Sequence, residues 1–450
     1  MLKSNIAWMK KNVPSDLKVW KGMIQDIDWS QVAAKTKLSL QRDKDRITAE
    51  FKEFAAMDTS AKIDWLMNGD RHLGYLYKKD AIAFARREWK GLKLFRSGWL
   101  KIWGGMLNMV MKDPMSIMLA VFEYHWFASY LATPAVVDRS VFGRRGKLLQ
   151  ADFDMWVAIT HWAEDLIANL IMADAKIGGN QKINKRIIMF DEMTMAQMMA
   201  GFPNLLGIPY QMIPVFMVSE MDQLTLIPYI DAIESYGLPS DTCPLPTAEC
   251  GCAVKDEYPM CGQGFIASSM PCDGSVMATS FQDRRFSKFM PSYPLCMPVR
   301  YDDEDTTEMA AADMKDCIHW VEGLTGETWN WDTYFATMEK MNECTRLEME
   351  KWEINKTHYP QLVGSSFELF RKWNYEMDGG LFPEGLKTQR KICKTMMETY
   401  EKKLPAYVGG YEKYRALIWS CPAHFYANFS NWLANCWGIY ALTEMEALNM

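Results

Sequence analysis

Apolar residues recur every three or four positions through the first 185 residues of this 450-residue chain. The pattern is clearest in 151–173 and is typical of an amphipathic helix. Its recurring apolar positions are Phe153, Trp156, Val157, Ile159, Trp162, Leu166, Ile167 and Leu170. Breaks fall at Pro114, at Pro134 and at the Gly-Gly-Asn sequence 178–180. The pattern therefore predicts a helical N-terminal region over 1–185.

From residue 186 onwards, short apolar runs alternate with helical patterns. The runs that predict strands are 186–190, 264–269 and 294–300, and the segments that predict helices are 192–200, 223–236 and 275–289. Gly207-Ile208-Pro209 leads to a further apolar run, 212–218, and Gly237 is placed to end a helix. Such alternation favours a parallel sheet with helices on its faces. We therefore predict a Rossmann-like α/β lobe over 186–305.

The last third of the chain returns to helical patterns and then begins a new alternation. Residues 306–410 predict a helical connector, with Thr325-Gly326-Glu327 before a long amphipathic helix. The run 416–420 predicts the first strand of a second α/β lobe, 411–450, and a helix follows through 426–437. One strand and one helix do not make a stable sheet. We therefore expect this second lobe to be truncated.

Charge and hydropathy exclude several classes of protein. The net charge of −6 disfavours a general nucleic-acid binder, although 1–112 carries 22 basic and 12 acidic side chains. The N-terminus lacks the apolar core of a signal peptide. The most apolar stretch, 115–137, is interrupted by Glu123 and His125 and predicts a buried helix, not a membrane span. We expect a cytoplasmic protein.

Six of the eleven cysteines lie between Cys243 and Cys296, and no C-x-x-C pair occurs among them. Without an export signal, these cysteines are better suited to metal ligation than to a disulfide framework. Cys272 follows the predicted strand 264–269, at the sheet edge where ligands of α/β proteins gather. Thiolates there suit iron–sulfur clusters, so Cys243 and Cys272 are candidate ligands of a [4Fe–4S] cluster. The alternative is that both are ordinary buried cysteines.

The remaining candidate residues are less informative. Cys250, Cys252 and Cys261 could be ligands or loop thiols, Cys296 lies in a predicted strand and is expected in the core, and Cys317, Cys344 and Cys393 are expected to be structural. His125 and His161 lie in apolar helical surroundings and are expected to be core or surface histidines, not catalytic bases. The acidic run 302–305 is more typical of a solvated loop or helix start than of a cation site. The sequence contains neither a P-loop nor a nucleophile elbow.

The order of these segments resembles the 2-hydroxyacyl-CoA dehydratase subunits, and the related benzoyl-CoA reductase subunits, over about 186–440. Five segments carry the resemblance: Phe190-Asp191-Glu192 through Ala200-Gly201, Ser240-Asp241-Thr242-Cys243, Gly264-Phe265-Ile266 through Pro271-Cys272-Asp273, Pro294–Pro298, and Val321–Gly326. They resemble, in order, the first strand and helix, the first cluster cysteine, the second cluster cysteine, the next strand, and the turn before the inter-domain helix.

The resemblance implies a hydro-lyase with two α/β lobes and a [4Fe–4S] cluster held by three cysteines, with Cys243 and Cys272 as two of them. It implies an acyl-CoA substrate, a second dehydratase subunit and a separate ATP-dependent iron–sulfur activator protein. One-electron activation would form a ketyl radical, from which the 2-hydroxyl leaves as water in a redox-neutral turnover. The third cysteine normally belongs to the second lobe, and Cys421 does not match its position. No catalytic side chain is identified.

Two alternatives remain open. The chain could be a subunit of a benzoyl-CoA reductase-type enzyme, which product analysis would distinguish because ring reduction consumes electrons. It could also be a non-catalytic scaffold subunit that binds a partner through its basic helical region. The unmatched third cysteine favours the scaffold, whereas Cys272-Asp273 at a strand edge disfavours it.

Overall fold

A computed structural model divides the chain into two compact units, Met1–Leu92 and Lys93–Met450. The structure describes residues 30, 37, 52, 55, 56, 58 and 59 of the first unit, and 100–132, 146–191, 196–210, 212–216, 218, 225–239, 241–268, 273–296, 303–361, 383–403, 412–418, 433 and 437–444 of the second. Apart from Asp58, the described residues of the first unit are helical. All that follows concerns the second unit.

Helices and parallel strands alternate in the second unit. Its α-helices are α1 (100–112), α2 (Pro114–Glu123), α3 (Gly146–Ala173), α4 (Gln181–Asn184), α5 (Ile227–Glu234), α6 (Pro244–Val254), α7 (Asp273–Phe286), α8 (Glu304–Thr325), α9 (Trp331–Asn355) and α10 (Pro383–Glu401). Its strands are β1 (Ile187–Phe190), β2 (Leu206–Pro209), β3 (Gly264–Ser268), β4 (Ser292–Leu295), β5 (Tyr414–Ile418) and β6 (Ile439–Glu444). The predicted helical character of the N-terminal region therefore holds for 100–123 and 146–173.

Four strands form one parallel sheet in the order β2-β1-β3-β4. This confirms the predicted α/β class and the strands expected at 186–190 and 264–269. β2 includes Gly207-Ile208-Pro209, which the pattern identified only as leading to an apolar run, and the described part of that run contains a π-helical turn, Met212–Phe216. The described part of the predicted helix 192–200 is a short 3-10 helix, Ala196–Met199.

Both faces of the sheet are covered, and this explains why β1 and β3 are buried at every position. On one face, Phe190 and Ile266 pack with Cys317 and Val321 of α8. On the other face, Phe265 packs against Phe286 of α7, with ring centroids 5.5 Å apart. The sheet is thus the middle layer of three.

Glycines allow two of these contacts to be close. A Cβ on Gly264 would lie 2.6 Å from atoms of Leu324 and Trp320 in α8. A Cβ on Gly201 would lie 2.3 Å from the ring of Trp329, which stacks edge-on against Phe202. Neither space admits a side chain without displacing its neighbours.

The remaining predictions hold with shifted boundaries. The helices expected at 223–236 and 275–289 are α5 and α7, the helical connector contains α8, α9 and α10, and Gly326 ends α8 with a left-handed φ of 75°. β5 is the strand expected at 416–420, and it pairs in parallel with β6, which the pattern did not predict. Apart from 433 and 437, the helix expected at 426–437 lies outside the described residues. The domain boundaries stay predictions.

The described part of the apolar stretch, 115–132, mixes buried residues with exposed ones such as Met115 and Met118, and it is not the single buried helix that was predicted. α2 ends before Tyr124 and a 3-10 helix, His125–Ala132, follows. Trp126 and Phe127 are fully buried. Within the described ranges, no helix combines the length and the apolar character that crossing a membrane requires.

A buried carboxylate joins these helices to the sheet. Asp174, directly after α3, accepts hydrogen bonds from the Tyr124 hydroxyl (2.5 Å), the Met260 amide (2.8 Å) and the Lys176 amide (3.0 Å). The neighbouring Ala175 amide donates to the Met260 carbonyl at 2.8 Å. Asp174 is fully buried, and burial raises the pKa of its carboxyl. Because Met260 lies four residues before β3, Asp174 fixes where the chain enters β3.

Replacement of Asp174 should therefore destabilise the fold. Asp174→Ala removes the acceptor of three hydrogen bonds, and we expect the free energy of unfolding to fall by roughly 3–5 kcal/mol in urea denaturation. The matched control Tyr124→Phe removes one of these bonds and should cost about 1–2 kcal/mol. A loss below about 1 kcal/mol for Asp174→Ala would contradict this account.

Candidate functional site at the carboxyl edge of the sheet

The carboxyl ends of β1, β3 and β4 meet at one edge of the sheet, because the strands are parallel and adjacent. Asp191 directly follows β1, the segment 269–272 follows β3, and Cys296 directly follows β4. Ligands of open α/β sheets bind outside this edge. Cys272 belongs to the segment 269–272 and lies outside the described residues.

Asp191 holds both sides of the segment that contains Cys272. Its carboxylate accepts hydrogen bonds from the Ser268 amide (2.5 Å) and the Ser268 hydroxyl (3.0 Å) at the end of β3. It also accepts one from the Thr279 hydroxyl (3.3 Å) in α7, the helix that follows the segment. Asp191 and Ser268 are both buried. The carboxylate therefore links the strand before Cys272 to the helix after it.

Asp191 was expected only as part of the segment Phe190-Asp191-Glu192, with no role of its own. The available signal was a carboxylate placed directly after a fully buried strand. A buried charge needs hydrogen-bond partners. Those partners lie 77 and 88 positions further along the chain, so the sequence pattern could not identify them.

Cys243 is exposed at the N-terminus of α6. Pro244 occupies the first turn, where its missing amide hydrogen costs no helical bond, and the carbonyl of Cys243 accepts from the Thr247 hydroxyl at 2.8 Å. The positive end of the helix dipole favours an anionic sulfur there.

The expectation that Cys296 lies in the core was wrong. β4 begins at Ser292 and ends at Leu295, earlier than the apolar pattern indicated, and Cys296 is exposed beyond it. Its amide donates to Asp313 Oδ2 at 2.6 Å, and the Tyr293 hydroxyl donates to Oδ1 of the same carboxylate at 2.7 Å. Because Leu295 pairs with Ser268, Cys296 lies level with the start of the segment 269–272.

The other described cysteines are buried. Burial raises the pKa of Cys250 to about 12 and the pKa values of Cys252 and Cys261 well above the usual range of a thiol. Burial therefore favours the neutral thiol in each of them in the absence of a bound metal. Cys317, Cys344 and Cys393 are buried on helices, as expected.

The described residues do not by themselves complete a metal site. Within the described ranges, no group of three His, Cys, Asp or Glu side chains is arranged to hold a metal ion. This finding does not test the pair Cys243 and Cys272, since Cys272 lies outside those ranges. The acidic run 302–305 begins α8, as anticipated, with Asp303 as the N-cap accepting from the Thr306 amide at 2.6 Å. Hydrogen bonds from Thr306 lower the pKa of Asp303.

The Asp191 contacts generate a testable prediction about the segment 269–272. Asp191→Ala removes three acceptor contacts, and we expect the free energy of unfolding to fall by roughly 2–4 kcal/mol. Amide hydrogen exchange should accelerate at Ser268 and in the first turns of α7. The control Thr279→Val removes only the longest bond and should cost less than about 1 kcal/mol. Unchanged exchange at Ser268 in Asp191→Ala would show that the carboxylate does not hold the segment.

Part of the chain that forms this edge matches a known protein family. The model of the family HGD-D, described as 2-hydroxyglutaryl-CoA dehydratase, D-component, matches residues 223–448, which is half of the chain. A comparison with curated proteins found no match. The matched residues include α5 to α10 and β3 to β6, and with them Cys243 and Cys272. The chain therefore belongs to the 2-hydroxyglutaryl-CoA dehydratase D-component family.

Proposed function

We propose that this component of a 2-hydroxyacyl-CoA dehydratase eliminates water from a 2-hydroxyacyl-CoA thioester at the carboxyl edge of the sheet. The observation that carries the proposal is the family match over 223–448, which includes Cys243 and the strand leading to Cys272. The acyl group is left open. The reaction is a lyase reaction and needs a second dehydratase subunit and an ATP-dependent iron–sulfur activator protein. This division of labour is compatible with a chain that has no P-loop.

The donor atoms at this edge fit an iron–sulfur cluster. Cys243 presents an exposed sulfur at a helix N-terminus, where a thiolate is favoured. Cys272 follows a strand whose end is fixed through Asp191. Cys250 and Cys252 of α6 and Cys261 of the loop after it are buried, in contrast to Cys243. We therefore keep Cys243 and Cys272 as the proposed ligands of a [4Fe–4S] cluster.

Cys296 is a further candidate ligand at the same edge. Among the described cysteines, Cys243 and Cys296 are the exposed ones. The register of β4 with β3 places Cys296 beside the start of the segment that contains Cys272. The family resemblance implies that the third thiolate ligand belongs to the second lobe. The third ligand could therefore be Cys296 or a cysteine of that lobe. Substitution of Cys296 separates them.

A bound cluster supplies single-electron chemistry and an open iron that acts as a Lewis acid towards a substrate oxygen. The chain's own residues would hold and shield that group. The Asp191 hydrogen bonds join the end of β3 to α7, the two elements that flank the segment containing Cys272. The aromatic and aliphatic side chains on both faces of the sheet keep the interior beneath the edge dry.

Iron and acid-labile sulfide, measured on protein purified without oxygen, test the proposed ligands. We expect about four irons per chain, for the chain alone or when co-expressed with its second subunit. Cys243→Ala and Cys272→Ala should each lose most of this iron. The matched control Cys317→Ala removes a buried thiol on α8 and should retain it. Full iron in either ligand variant would refute that assignment.

The same measurement on Cys296→Ala assigns the third thiolate. Loss of iron comparable to that of Cys243→Ala would place the ligand in this chain. Full iron in Cys296→Ala would exclude Cys296 and leave the third ligand to the second lobe or subunit. Iron absent from every preparation would overturn the dehydratase proposal in favour of a scaffold subunit. Electron consumption with an aromatic acyl-CoA would favour the reductase alternative.

A further inference from the structure

The helices α1 and α2 expose a line of large apolar side chains. Successive members of this line are three or four residues apart, which is the spacing of one face of a helix. Each side chain is between 37% and 66% exposed. We call this line the α1–α2 stripe, and its members are Leu100, Trp103, Leu107, Met111, Met115, Met118 and Phe122.

The stripe lies on the side of α1 that does not pack within the chain. Ile102 and Met109 on the opposite side are buried, and a Cβ at Gly105 would lie 2.7 Å from Cδ2 of His161 in α3. Lys112 pairs with Asp165 of the same helix. Both the buried and the exposed sides of α1 are therefore mainly apolar. A helix that is apolar all round is normally buried on all sides, so the stripe indicates a missing neighbour.

The size of the stripe matches one half of a dimer interface. Its side chains leave roughly 700 Å² of apolar surface in water, above the few hundred Å² that monomeric proteins usually expose in one patch. A standard interface buries about 800 Å² on each partner. The stripe and its polar borders therefore supply the area that pairing with a second copy needs.

The charges along this part of the chain change sign. Residues 93–112 contain four basic residues and no acidic one, whereas 113–132 contain Asp113 and Glu123 and neither lysine nor arginine. In an antiparallel pair, the basic start of each stripe meets the acidic end of the other, whereas a parallel pair would place like charges together. Glu123 already lies 3.6 Å from Lys176, so the charges set the orientation and apolar burial supplies most of the affinity.

We propose that two copies of the chain form a dimer with two-fold symmetry, in which the α1–α2 stripe of one copy packs antiparallel against the same stripe of the other. Two-fold pairing is the commonest arrangement of soluble homo-oligomers. Met111 is the middle member of the stripe, so the symmetry axis passes close to it and the two Met111 side chains meet.

The proposed dimer is independent of the dehydratase reaction. α1 borders a cleft that includes Leu206 and Gly207 at the start of β2. It therefore lies near the amino end of a strand, whereas Asp191 and Cys296 lie at the carboxyl edge of the sheet. Pairing through the stripe does not use the proposed cluster ligands, so iron content and the number of chains in the assembly are separate measurements.

Sedimentation velocity of the full chain tests the pairing. We expect a species of twice the 52.0 kDa of one chain at micromolar concentrations, with dissociation on dilution. The mass of a single chain at every concentration up to the solubility limit would overturn the proposal.

Matched variants locate the interface. Met111→Glu places two carboxylates where the copies meet and should raise the dissociation constant of the dimer at least a hundredfold. The control Met309→Glu makes the same change at an exposed methionine of α8 and should leave that constant within threefold. Because Met111 is exposed in the single chain, its variant should keep the circular dichroism of the unaltered protein. An unchanged dimer in Met111→Glu, or equal loss in both variants, would overturn the assignment of this face.

Cross-linking distinguishes the antiparallel from the parallel arrangement. A short bis-maleimide should join two copies of Met111→Cys, whose thiols lie near the axis, and should leave Leu100→Cys at the background of the unaltered chain. Cross-linking of Leu100→Cys as efficient as that of Met111→Cys would overturn the antiparallel arrangement. Met111→Cys at background would overturn the contact itself.

Two further measurements identify other occupants of the stripe. The lack of lysine and arginine in 113–132 disfavours an anionic lipid surface, and a monomeric chain that floats with phosphatidylglycerol vesicles would overturn the dimer in favour of that surface. A complex that forms only with the second dehydratase subunit and is lost in Met111→Glu would overturn it in favour of a contact between different subunits.

Discussion

The arrangement of the second unit depends on the need to cover a parallel sheet on both faces. β1 and β3 are buried at every position, so neither face of these strands can be left to water. α8 packs against one face and α7 against the other. This layering fixes where the strands end, and with them the edge at which Asp191 and Cys296 lie.

Two buried aspartates bind the chain at the two ends of β3. Asp174 binds the amide of Met260 before β3, and Asp191 binds the amide and hydroxyl of Ser268 at its end. Each carboxylate also reaches a second element, the hydroxyl of Tyr124 in one case and that of Thr279 in the other. The central strand is therefore positioned along its length by ionisable groups at both ends, while apolar packing positions it between the layers.

The sequence predicted those parts of the fold that depend on local pattern. Continuous apolar runs identified β1 and β3, and helical spacing identified α3, α7 and α9. β2 was not predicted, because its residues, Leu-Gly-Ile-Pro, include two types that are uncommon in strands. The exposure of Cys296 depends on where β4 ends, which pairing with β3 decides. The partners of Asp174 and Asp191 could not be predicted, because they are brought together only by folding.

The hydrogen bonds of Asp191 bear on the order in which the protein folds and acquires a cofactor. All of its donors and acceptors belong to the polypeptide: the Ser268 backbone and hydroxyl, the Thr279 hydroxyl and the carboxylate itself. Folding of this edge therefore does not require a bound group to bring β3 and α7 together, in contrast to small metal-binding domains that are unfolded without their metal. A chain newly released from the ribosome can complete the sheet first and acquire any cofactor afterwards, so delivery and repair of that cofactor need not unfold the protein.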